Sequence, residues 1–162
     1  MTFKESVSTC FRKYITFSGR AMRSEFWYFQ LFLLIGNFVT AFLDSLVGSG
    51  SLTSTGPLNG AFSLITFIPS IAVTARRLHD INKSGWWQLG WLAVAVALVL
   101  GMTLLLASTD TIFGSNMMES PLGIALIIAI GLGAAVIWPL YWLTRKSDYD
   151  TNRFGPPPWE TE

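Results

Sequence analysis

The chain has 162 residues, of which 51% are hydrophobic and only 13% charged, whereas a soluble domain carries about a quarter charged residues. So few charges cannot clothe a water-facing surface, while a hydrocarbon layer about 30 Å thick removes that need, so composition excludes an ordinary soluble domain and points to a membrane protein. The net charge of +1 hides a strong segregation of charges along the chain, and the lone cysteine, Cys10, excludes an intramolecular disulfide or a multi-cysteine metal site.

Residues 1–25 are polar and mixed, without the short apolar core of a cleavable signal peptide, so the first span is expected to stay in the membrane. Within them Phe3, Val7, Cys10, Phe11, Tyr14 and Ile15 recur at helical spacing between Lys4, Glu5, Ser8, Arg12 and Lys13. Thr2 and Glu5 have capping-box spacing, and an amphipathic helix over 3–16 is predicted, lying in the membrane interface or packed on a partner. Four apolar runs follow. The first, 26–47, is interrupted by Gln30, Asn37, Thr40 and the late Asp44 and Ser45, and at helical rise it reaches roughly 33 Å, enough to span. Asp44 falls near its outer end, where an acid costs little, and reads as structural. After a Gly/Ser/Thr loop, 48–56, comes the shortest run, 58–75, then a polar connection at 76–85. The third run, 86–107, and the fourth, 122–143, contain no Asp, Glu, Lys, Arg or His and are separated by a polar loop, 108–121; a polar tail, 144–162, closes the chain. Pro69 and Pro139 can each kink a span and free a carbonyl. Ala129, Gly131, Gly133 and Ala135 give small-residue spacing suited to close helix packing. The expected fold is an all-α bundle of four transmembrane helices with an amphipathic interfacial helix at its N-terminus.

All eleven Lys and Arg residues fall before run one, between runs two and three, or after run four. Cationic segments are retained on the cytoplasmic side, so an even span count puts both termini in the cytoplasm of an inner-membrane protein. Trp27, Tyr28, Trp86, Trp87, Tyr141 and Trp142 sit at the same predicted ends, where amphipathic rings favour headgroups.

Three segments on that side stand out: Ser18 to Trp27, with Gly19-Arg20 and Arg23-Ser24-Glu25-Phe26-Trp27; Ala75 to Trp87, with Arg76-Arg77-Leu78-His79-Asp80 and Ser84-Gly85-Trp86-Trp87; and Asp148 to Pro156, with Asn152-Arg153-Phe154-Gly155. Together with the four runs, they resemble the bacterial inner-membrane family catalogued as domain of unknown function 805, the YhaH-like proteins. The resemblance covers nearly the whole chain and implies a multi-span bacterial membrane protein whose activity is not established.

These segments are expected to meet at the cytoplasmic rim, where Arg20, Arg23, Arg76, Arg77 and Arg153 can pair with Glu25, Asp80, Asp148 and Asp150. Either they form a charge-paired cap, or the arginines with His79, Trp86, Trp87 and Asn152 bind an anionic group. His79, the lone histidine, has too few companions for a metal, and no catalytic or nucleotide-binding motif appears, so neither cofactor nor enzyme activity is expected. The leading expectation is binding or scaffolding at the cytoplasmic interface, with the bilayer, an anionic phospholipid or another membrane protein as partner and nucleic acid excluded. A small transporter needs a polar path through Gln30, Asn37 and Thr66. A lipid-modifying enzyme needs His79 beside a free carboxylate.

Overall fold

A computed structural model describes residues 1–48, 56–112, 133 and 137–160. The described residues include α1 (Phe3–Arg12), α2 (Arg23–Leu46), α3 (Pro57–Asp80), α4 (Trp87–Ile112) and a 3-10 turn, Pro158–Glu160. Residues 137–144 are also helical. The polar loop at 108–121, most of the fourth run and three of its four small residues lie outside the described residues, or largely so. Two compact units result, one of residues 1–85 with 146–162, the other of residues 86–145.

In the first unit, α1 starts on the expected capping box. Thr2 N–H donates to Glu5 Oε2 at 2.7 Å, and Glu5 N–H donates to Thr2 Oγ1 at 3.4 Å. The Thr2 backbone N–H holds the Glu5 carboxyl below its ordinary range. The helix stops at Arg12 rather than at residue 16. Its apolar stripe divides: Cys10 is buried and Phe11 packs edge-on against Phe29 and Phe32, while Phe3 and Ile15 stay exposed. Thus α1 packs on its own chain, against α2 and α3.

Helices α2 and α3 are each 24 residues long and apolar enough to cross a bilayer. Only 11% of the most apolar stretch of α2, and 28% of that of α3, is buried within the protein. The core helix of a soluble domain would bury most of it, so these outward-facing Leu, Ile and Phe side chains suit lipid. The two helices approach closely at Gly36, where a Cβ would collide with the Phe62 ring. Beside it, Asn59 Nδ2 donates to the Asn37 carbonyl, to Asn37 Oδ1 and to Thr40 Oγ1 at 3.0–3.2 Å, clamping the pair together.

Two expectations are corrected here. Asp44 is fully buried, not placed where acid is cheap: its carboxylate accepts from the Leu58 and Asn59 backbone N–H groups at 3.1 and 2.9 Å. It therefore satisfies the orphan donors at the start of α3, a task that the local cap Gly56 has no side chain to perform. The second run is not the shortest helix either, because α3 continues through Arg76 to Asp80, the residues read as a connection. It ends in a Schellman motif, with Lys83 N–H on the Leu78 carbonyl at 2.9 Å and Asn82 N–H on the His79 carbonyl at 3.0 Å. Asn82 takes the left-handed conformation this requires, φ 57°.

Inside α3, Pro69 lacks the N–H that would bond the Ile65 carbonyl. The freed acceptor is filled from the segment after α1: Tyr14 OH donates to Ile65 O at 2.6 Å.

In the second unit, α4 carries the apolar stretch Trp87–Gly101. Trp142 is its aromatic centre, with Trp87 edge-on at 5.0 Å and Trp91 and Trp138 at 5.9 and 6.0 Å.

Candidate functional site

The three motifs do meet, within the first unit, and the meeting is built around two buried arginine clusters. Arg20 extends from the segment before α2 to Asp80 at the end of α3, with Nε and Nη2 each 3.0 Å from Oδ1. The same guanidinium donates to the backbone carbonyls of Asp148, Asp150 at 2.8 Å and Gly155 at 3.4 Å. Arg77, one turn before Asp80 on the same helix face, donates to its other oxygen, Oδ2. One carboxylate thus answers two cations, and both arginines and Asp80 are buried.

The second cluster centres on Arg76, whose Nη2 reaches Glu25 Oε1 at 2.7 Å while Nη1 donates to the Lys13 and Thr16 carbonyls at 3.2 and 3.0 Å. The planar fork allows one side chain to join α3 to α2 and to the chain leaving α1. The Cys10 thiol faces the same carboxylate, with Sγ 3.8 Å from Glu25 Oε1. Burial, reinforced by the Glu25 charge, pushes that thiol up to about 12.

His79 turns to the outside of this assembly. Its Nδ1 donates to the Gly19 carbonyl at 3.1 Å, and its ring stacks on Phe154 at 3.8 Å with 5° between planes. The tail motif Asn152-Arg153-Phe154-Gly155 is a tight turn, closed by reciprocal backbone bonds between Asn152 and Gly155 and by Phe154 N–H on Asn152 Oδ1 at 2.9 Å. Gly155 supplies the positive φ, 122°, that closes it. Asn152 Nδ2 then donates to the His79 carbonyl at 3.0 Å, docking the turn on α3. Arg153 donates to the Asn82 carbonyl at 3.1 Å and lies over the Phe154 ring.

Of the predicted site residues, Arg20, Arg23, Glu25, Arg76, Arg77, His79, Asp80, Asn152 and Arg153 share the first unit, and all but Arg23 take part in these bonds. Trp86 and Trp87 are exposed residues of the second unit. The expected partners change in detail. Asp148 and Asp150 meet Arg20 through backbone carbonyls, because the tail runs its main chain past the guanidinium. Arg23 is exposed and has no acceptor among the described residues.

Sequence reasoning missed a groove of about 620 Å³ beside this cap, lined by Arg23 and Ser24 at the head of α2 and by Lys146, Ser147, Tyr149 and Trp159 of the tail. Arg23 and Lys146 were the available signal, as cations of two motif-bearing segments; that they line one groove was not in the local pattern.

The profile described as "Protein of unknown function (DUF805)" matches residues 14–156. Inner membrane protein YhaH of Escherichia coli (strain K12) is 38% identical over 92 residues, covering 52% of this chain and 76% of the relative. Inner membrane protein YhaI of the same strain is 35% identical over 92 residues, covering 52% and 75%. No solved structure matches the chain.

Proposed function

The chain belongs to the DUF805 family and is an inner-membrane protein, and from that premise we propose that it is a four-span protein, both termini cytoplasmic, that binds or scaffolds at the cytoplasmic membrane interface. Its partner is an anionic lipid or another membrane protein. The observation that carries this reading is the cap itself. Arg20 alone joins the segment before α2, the end of α3 and the tail, so side chains on that rim are held by buried, hydrogen-bonded supports. A rigid rim facing the headgroups is suited to recognition, and the confinement of all eleven Lys and Arg residues to the segments before run one, between runs two and three and after run four supports its cytoplasmic placement.

Transport is less well supported. Asn37 is spent on Asn59, on Ser63 and on its own Leu33 carbonyl, and Thr66 bonds back to the Phe62 carbonyl, as helix-clamping groups do. Lipid enzymology is less favoured too, because His79 Nδ1 is occupied by a carbonyl and its ring is covered by Phe154.

The topology is tested by placing single cysteines at exposed Ser18 and Tyr149 and labelling intact spheroplasts with a membrane-impermeant maleimide. No labelling until the membrane is opened is expected; labelling from outside would reverse the orientation. Native mass spectrometry of the purified chain tests the role, and recovery of a bare monomer under gentle detergent would remove the binding reading.

A further inference from the structure

Five arginines mark the three motifs, and four of them are explained by the cap: Arg20, Arg76 and Arg77 are enclosed by carboxylates and carbonyls, and Arg153 is tied to Asn82 and Phe154. Arg23 is not. It is exposed and without an acceptor among the described residues, and so is Lys146, the other cation lining the groove. Two like charges facing one cavity repel unless an anion lies between them, and among the described residues the groove lining carries no carboxylate. The remaining wall is chemically specific as well. The Ser24 and Ser147 hydroxyls have no hydrogen-bond partner among the described residues and are free to donate to an anion, while Tyr149 and Trp159 present paired rings 6.1 Å apart.

The groove also has a definite depth. Arg23 is the first residue of α2, and exposed Trp27 and Tyr28 follow one turn later, with exposed Leu31, Leu34 and Ile35 beyond them. That sequence of cation, aromatic ring and aliphatic surface follows the order of phosphate, glycerol and acyl chain in a lipid leaflet. We propose that the groove between Arg23 and Lys146 binds the phosphate group of an anionic phospholipid, with the serine hydroxyls as further donors and the Tyr149 and Trp159 rings against the glycerol region. Basic pockets at the ends of transmembrane helices suit such headgroups.

This assignment rests on reading the rim as a binding face, and it names the ligand class and residues for that face. The test is native mass spectrometry of the full-length protein titrated with dioctanoyl phosphatidylglycerol, with dioctanoyl phosphatidylcholine and inorganic phosphate as the other arms. Phosphatidylglycerol is expected to bind at lower concentration than phosphatidylcholine, which carries the same phosphate beside a cation. Arg23→Gln and Lys146→Gln should each weaken it about fivefold, and the pair about thirtyfold, from roughly 1 kcal/mol per cation. Arg23→Lys should recover most of the loss, and Lys4→Gln, at an exposed position of α1, should change nothing. Equal binding of the two lipids, or a double variant that still binds as wild type does, would overturn the site. Displacement by sub-millimolar phosphate would keep the anion chemistry but reject the lipid as its source. If the double variant loses nothing while lipid or protein still co-purifies, only the groove is wrong; a wild-type chain that retains no partner and binds no lipid removes the rim reading with it.

Discussion

Asp80 holds two arginines of the cap at once, because each of its oxygens serves a different guanidinium and both cations are buried. Desolvating three charges is costly, and the cost is offset only while all of them stay paired. Asp80→Asn keeps the shape and removes the charge, leaving Arg20 and Arg77 buried together. The expected loss is about 3–5 kcal/mol, read as a fall in the melting temperature of the detergent-purified protein, whereas Arg23→Gln, at the exposed position, should leave that temperature unchanged. Cys10 reports on the second cluster. The folded thiol is pushed up to about 12 from an ordinary 9.0, so it should resist maleimide at pH 7.5 until the protein is unfolded. The folded state holds the proton longer than the unfolded one. The thiol's contribution to stability is therefore complete below pH 9 and is lost as pH climbs toward 12. Melting temperatures across that window should fall less steeply in Cys10→Ala.

At the level of helices, the bond from Tyr14 to Ile65 is the consequence of a proline placed four residues further along α3. Removing the hydroxyl with Tyr14→Phe leaves a carbonyl unpaired beside apolar surface, at a cost of about 1–3 kcal/mol. Pro69→Ala restores an N–H for the same carbonyl, so Tyr14→Phe should cost much less in that background; equal costs in both backgrounds would show the two positions to be uncoupled. The proline and the capping box were both readable along the chain, because each acts within four residues. What was hidden is what crosses between helices. Asp44 caps a helix that starts 13 residues later, and nothing local distinguishes it from an acid at a membrane edge. The extension of α3 through Arg76 to Asp80 was hidden for the same reason: a run of charges reads as solvent-exposed chain until its partners, 51 and 60 residues away, are known.

Across the whole molecule, composition was enough to identify a membrane protein, since solvent acts on every residue alike, and charge placement was enough to expect that its motifs gather. Which arginine pairs with which acid was not legible, because pairing depends on how the tail returns to α3, and there Asp148 and Asp150 offer carbonyls that every residue possesses. That return also makes the tail essential. A chain ending at Arg145 loses three of the carbonyls around Arg20, those of Asp148, Asp150 and Gly155, and pulse-chase labelling in cells should show it degraded much faster than the full chain. The Arg20 contacts span 60 residues to Asp80 and 128 to 135 residues to the tail, which sets an order of events during synthesis. Arg20 leaves the ribosome early, yet its last acceptors are translated only after every apolar run has been made. The helices can therefore insert and shift register while the clasp is open, and its closing marks the point at which a nascent chain has become a finished protein.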